Sequence, residues 1–206
     1  MRWSAIALSC GVLALAGCST VGSVQSVAVD SGQAAVSQDF RIAQSEVSDD
    51  VSQVLSDQGQ PPGEPPAGLA GATAQRLVQG RLIESYAALN GIELTRTQVQ
   101  QGLEQLATEN GGQDALNALA LQSGIPISGL EGTVRTNLLV TAIGEKLNPA
   151  GDAEAKGEAT RVALSEYSEA IDVSVSPRYG TWDDVQLSII PGSSVTQPSV
   201  GEQAAP

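Results

Sequence analysis

The side chains able to do chemistry are few. Two acid pairs, Asp49/Asp50 and Asp183/Asp184, are formal candidates for paired-carboxylate hydrolysis. Neighbouring acids on a helix or at a chain end point in different directions and are usually only solvated, so they make a poor catalytic pair. The chain contains no histidine. That excludes Ser-His-Asp and Cys-His nucleophilic sites, His-ligated zinc and most general-base schemes near neutral pH. No glycine-rich phosphate-binding motif is present either. Neither catalysis, a metal nor a cofactor is therefore expected. The other conspicuous feature is "SPRYGTWDD" at residues 176–184, which places Tyr179 and Trp182 close together in a chain that is only 3% aromatic. A binding platform, a piece of active site and a structural clasp are the competing explanations.

The start of the chain, "MRWSAIALSCGVLALAGC", has one early cation, Arg2, followed by an apolar run from Ala5 to Ala16. This pattern reads as a secretory signal, because a membrane span needs about 20 apolar residues. Leu15-Ala16-Gly17-Cys18 resembles the lipobox of bacterial lipoproteins. That resemblance implies cleavage between Gly17 and Cys18, with a diacylglycerol on the Cys18 thiol. The alternative is a buried Cys18 thiol or a disulfide with Cys10, but cleavage at Gly17 would remove Cys10. Two acyl chains, at about 0.8 kcal/mol per buried methylene, anchor a protein durably without a basic patch. The expected location is the extracytoplasmic face of the cell membrane, lipid-anchored.

Charge agrees with this reading. The chain has 10 Lys and Arg against 23 Asp and Glu, a net −13, and losing Arg2 makes it one unit more negative. Phosphate backbones and anionic head groups repel such a surface, so no nucleic-acid partner is expected.

The positioning elements follow from spacing. Residues 1–17 form the signal, and 18–34 a small polar tether with a reach of roughly 20 Å. Residues 35–184 form the folded domain, and 185–206, rich in Pro, Ser and Gly, a disordered tail. Val36, Phe40 and Ile42 mark a short strand. Helices are expected over 45–57 (Val47, Val51, Val54, Leu55 inward) and 73–90 (Leu77, Val78, Leu82, Tyr86, Leu89 inward, Gly91 capping). A Thr95/Gln98 capping box opens a third helix with Val99, Leu103 and Leu106 inward. A short fourth covers 113–122. A Ser128/Glu131 box opens a fifth with Leu130, Val134, Leu138, Ala142 and Ile143 inward, and a sixth covers 154–170 with Val162, Leu164, Tyr167 and Ile171. "GQPPGEPPAG" at 59–68 breaks the first two helices apart, and Val173 and Val175 mark a second strand. The fold class is mainly α, a compact bundle of about six short helices with a small two-stranded sheet pairing the N- and C-terminal ends of the domain. Short helices with narrow stripes depend on tertiary contacts, and an open apolar groove is expected among them.

The element order, with "LNGIELTRTQVQQGLEQL", "SGIPISGLEGTVRTNLLVTAIGEKL" and "VSPRYGTWD", resembles the N-terminal chaperone domain of the SurA and PrsA-type extracytoplasmic foldases. Gly91-Ile92 with Thr95 and Val99, and Arg135 with Leu138, Leu139 and Leu147, fall at that family's motif positions. The last stretch is similar to the ending of actinobacterial lipoprotein members. The likeness spans about residues 36–183. It departs from the family where a parvulin isomerase domain is often inserted: only "NPAGDAEAKGEA" stands there, and the histidines typical of the parvulin site are absent. The resemblance implies a chaperone-like lipoprotein binding unfolded or nascent secreted polypeptides, without isomerase activity and without cofactor. It also implies that the last strand returns beside the first, with Val173 and Val175 opposite Phe40 and Ile42. Candidate peptide contacts are Tyr86, Val134, Leu138, Tyr179 and Trp182. An adaptor lipoprotein binding one envelope partner is the alternative, and an acid-pair hydrolase a third. The lack of histidine, thiol and basic stripe around Tyr179 and Trp182 favours the clasp. Oligomeric state is not legible from spacing.

Overall fold

The computed structural model describes residues 28–61 and 63–192. The chain is mainly helical, with two small antiparallel sheets. Helix α1 (Gln44–Asp57) and helix α2 (Leu69–Leu89) pack antiparallel, as the Arg76–Asp50 and Arg81–Glu46 ion pairs show. All four residues expected to face inward on α1 are buried. At its start only the Glu46 half of a capping box forms, Glu46 Oε1 accepting from the Ala43 N–H at 2.8 Å, because Ala43 has no side-chain acceptor.

Helix α2 begins earlier than the sequence suggests. Gly68, in the left-handed region at φ 85°, turns the chain out of the proline-rich connection, and the small residues after it are helical from Leu69. Its other end closes as a Schellman motif: Gly91 has φ 64°, and the Ile92 N–H reaches the Ala87 carbonyl at 2.8 Å. Leu89, expected inward, is 72% exposed; Ile83 and Ala87 hold the core positions instead.

Helix α3 (Arg96–Glu109) starts at the expected capping box. Thr95 Oγ1 accepts from the Gln98 N–H at 3.2 Å, and Gln98 Oε1 accepts from the Thr95 N–H at 2.8 Å. Thr95→Ala is expected to lower stability by about 1 kcal/mol, measured as a shift of the urea midpoint at constant m. Helix α4 (Gln113–Gln122) occupies the expected range. The Ser128/Glu131 box does not form. Residues Ile127–Gly129 make a 3₁₀ turn closed by Gly129 N–H to the Pro126 carbonyl, and helix α5 (Leu130–Leu147) follows with Gly129 at its N-cap. Asp57 anchors that turn by accepting from the Ile127 N–H at 2.9 Å.

Helix α6 (Ala153–Ala170) is capped by Asp152, which accepts from the Ala155 N–H at 2.9 Å. It packs closely on α5 at Gly144, where an added Cβ would lie 3.0 Å from Thr160 Oγ1. Val162 faces outward at 39% exposure, while Leu164 and Ser168 face the core.

The strand expected over Val36 to Ile42 is instead a hairpin. Strands β1 (Gln33–Val36) and β2 (Arg41–Ala43) flank a turn in which the buried Ser37 hydroxyl accepts from the N–H groups of Asp39 and Phe40. Strand β3 (Ser174–Val175) does bring the two ends of the domain together. It pairs with β1, Ala35 opposite Val175, rather than with the Phe40 and Ile42 segment. The sheet order is therefore β2-β1-β3. Helix α1 needs the space on the hairpin's far side, since it leaves directly from β2.

Both ends of the folded body lie outside the expected limits. Ala34, assigned to the tether, is 1% exposed within the core. At the other end, β4 (Thr181–Asp183) pairs with β5 (Ser188–Ile190), so a second hairpin carries the folded body into the expected tail of 185–206, and Ile189 is buried. Leu187 in its loop adopts φ 52°, rare for so bulky a residue. It is held there because its side chain packs against two separate core clusters and its carbonyl accepts from Gln79 Nε2 at 2.7 Å.

Candidate functional site

An apolar groove of about 780 Å³ opens between α1, the first turns of α2 and the C-terminal hairpin. Helix α1 contributes Val47, Val51 and Leu55, which share one face by helical spacing. Helix α2 contributes Ala70, Gly71 and Ala72, residues too small to fill the space opposite. The third wall holds Tyr179, Ile189 and Pro191, and the proline-rich connection adds Gly63 and Pro65.

Local hydrogen bonds fix these walls. Gln44 Nε2 donates to the Tyr179 hydroxyl, pinning the ring to the start of α1. The Ile189 N–H donates to Gln75 Oε1 at 3.1 Å, tying β5 to α2. Ser48 and Ser52, also in the lining, turn their hydroxyls back onto carbonyls one turn earlier. Arg178 is the single charged residue of the lining, and it makes no salt bridge among the described residues.

A second cavity, about 600 Å³, lies between α2 and α5. Its wall carries Asp50, Arg76, Arg81 and Glu84, whose charges are already matched: Arg76 meets Asp50 at 2.5 Å, and Arg81 lies 3.6 Å from Glu84. A third, of about 330 Å³, sits beside Gly144 and Thr160. The first groove differs from both in having a single charged residue, Arg178, in its lining.

Of the expected contact residues, only Tyr179 lines this groove. Tyr86 stacks edge-on against Tyr167 with ring centroids 5.4 Å apart, and so serves the α2–α6 contact. The Tyr167 hydroxyl donates to Asp39, and burial first, then that carboxylate, pushes its pKa upward. Val134 and Leu138 pack against α3 at Gly102, where an added Cβ would lie 3.0 Å and 3.1 Å from them. Trp182 is 7% exposed, with its indole N–H shared between Ser168 Oγ at 2.8 Å and Asp184 Oδ1 at 3.1 Å. The expected positions are thus spread over several packing interfaces and do not converge. Gly17 and Cys18 lie outside the described residues.

The acid pairs do different work. Asp183 accepts from the Val185 and Gln186 N–H groups, shaping the hairpin loop, while Asp184 accepts from Ser168 at 2.5 Å. Asp50 is tied to Arg76. Among the described residues no cluster of three or more acidic, Cys or His side chains could hold a metal ion, and no helix is long and apolar enough to cross a membrane.

Sequence reading missed Ala70, Gly71, Ala72, Ile189 and Pro191. The signal for the first three is the run of small residues directly after a proline-rich break, where a helix can present an uncovered surface. The signal for Ile189 is "LSII", too brief to stand out beside so much Ser, Pro and Gly.

Fold and groove together define a small helical bundle fastened by two β-hairpins, with one apolar surface groove. No protein-family model, curated protein or solved structure matches this chain.

Proposed function

We propose that this protein is a membrane-anchored, chaperone-like lipoprotein that binds unfolded or partly folded secreted polypeptides in the α1–α2–hairpin groove. The observation that carries this reading is the groove itself: about 780 Å³, with one charged residue in its lining. Apolar contact is what unfolded chains of different sequence have in common. Attachment through Cys18 at the extracytoplasmic face rests on the lipobox resemblance, and the chaperone reading also draws on an element order that resembles the SurA N-terminal domain. Helices α5 and α6 are joined by residues 148–152 alone. No isomerase domain stands between them, and binding by this mechanism uses neither nucleotide nor cofactor.

The test is suppression of aggregation of a denatured model protein by the purified mature chain, together with binding of fluorescent apolar peptides. Ser52 and Ala72 are exposed and line the groove. The double variant Ser52→Glu/Ala72→Glu is expected to weaken peptide binding at least about tenfold, since a client would have to desolvate both carboxylates, while the melting temperature stays within a few degrees. Wild-type protein that neither binds peptides nor suppresses aggregation would refute the proposal. Crosslinking in cells to one dominant partner would instead establish the adaptor reading.

A further inference from the structure

The groove's one charge sits in an unusual place. The chain as a whole is strongly acidic, at net −13, yet the charged residue of this lining is a cation. Arg178 is exposed, beside Tyr179 in the turn that follows β3. Arg76, Arg81, Arg135 and Arg161 each meet a carboxylate within 4 Å; among the described residues Arg41, Arg96 and Arg178 meet none, and of these three Arg178 is the one in the groove lining. The neighbouring tyrosine is fixed by Gln44, so the turn carrying the guanidinium is tied to α1.

A fork of N–H donors at the margin of an apolar surface is complementary to a carboxylate. Away from its few cations, so acidic a protein repels a carboxylate. We infer that Arg178 gives the groove a preference: it takes apolar polypeptide segments that carry an Asp or Glu side chain next to the apolar residues, the carboxylate pairing with Arg178. This rests on the peptide-binding reading above and sharpens it. The carboxylate is that of an internal side chain, because unfolded clients present many internal segments and only one chain end.

The experiment uses the mature chain and three fluorescent peptides sharing one apolar core, measured by anisotropy. One carries a flanking Glu and an amidated C-terminus; the second has Gln in its place; the third has Gln and a free C-terminal carboxylate. At low ionic strength the Glu peptide should bind roughly two- to fivefold more tightly than the amidated Gln peptide, the range for an exposed ion pair. The advantage should vanish in Arg178→Gln and shrink near 1 M salt, where the Debye length falls to about 3 Å. Arg178→Gln leaves the core untouched, since Arg178 is exposed. Equal binding of the Glu and Gln peptides would overturn the inference while leaving peptide binding intact. A preference that survives Arg178→Gln would overturn it too. Tighter binding of the third peptide than of the Glu peptide would show that the site reads chain ends and not side chains. Failure of all three to bind would refute both this inference and the reading beneath it.

Discussion

Trp182→Ala is expected to lower the unfolding free energy by about 3–5 kcal/mol, as for other large-to-small replacements of buried aromatics. In a domain of this size that is a fall in Tm of roughly 10 °C. Trp182 belongs to the same core cluster as Ile42, Val51, Leu82 and Val175, a cluster that draws on α1, α2 and both sheets. Its indole N–H lies over Ser168, itself 0% exposed, and Asp184. Removal of the ring leaves a cavity, and it also leaves the Ser168–Asp184 bond without its third member. Trp182→Phe weights the two effects differently: it keeps one aromatic ring, leaves a smaller cavity and loses the donor, so it should cost less than Trp182→Ala, about 2 kcal/mol. Ser168→Ala should cost a similar amount, because Asp184 and the indole then have only each other. Equilibrium urea unfolding checks all three. A Trp182→Ala protein as stable as the wild type would show that the hairpin is dispensable to the fold.

That result bears on the first question the sequence posed. Of the two aromatic residues in "SPRYGTWDD", Trp182 fastens the fold and Tyr179 faces the groove. One short motif carries both the clasp and part of the groove wall.

The helices were legible because large apolar residues at helical spacing and explicit caps mark them. Helix α4 has the expected bounds, and Thr95 with Gln98 forms the expected box. What escaped was carried by small residues and short strands. Ala34, Ala35, Ala74, Ala87 and Ala120 are all nearly fully buried, yet alanine carries little weight in a hydrophobic stripe. The strands are two to four residues long, too short for alternation to distinguish a hairpin from a single strand. The groove was not legible at Tyr86, Val134 and Leu138 because a stripe shows which face of a helix is apolar. It does not show what covers that face. Val134 and Leu138 are covered by α3 because Gly102 lets that helix approach. Val47, Val51 and Leu55 of α1 are buried yet line the groove, where the small Ala70, Gly71 and Ala72 stand opposite.

Gly180→Ala is the second large effect. Gly180 is buried at φ 132°, a backbone conformation that residues with a Cβ rarely adopt. A Cβ built there would lie 2.1 Å from the Ile190 carbonyl oxygen and 2.9 Å from Ile189 Cγ2. The nearest atom is backbone in a paired strand, so it cannot rotate aside as a flexible side chain would. Strain of about 1–3 kcal/mol adds to an overpacking term of about the same size, for an expected loss of about 3–5 kcal/mol. Gly132→Ala is the control of opposite sign: it lies within α5 with nothing inside 4 Å of the added Cβ. There alanine should raise stability by about 0.5–1 kcal/mol. Thermal melts of the two variants should therefore diverge from the wild type in opposite directions. Peptide binding should separate them as well. To relieve the contact, β5 must move away from β4, and β5 brings Ile189 and then Pro191 to the groove wall opposite α1. Gly180→Ala should thus weaken apolar-peptide binding even below its lowered Tm, while Gly132→Ala binds as the wild type does. Wild-type affinity in folded Gly180→Ala would mean that the hairpin closes the domain without shaping the groove, and the binding surface would then belong to α1 and α2 alone.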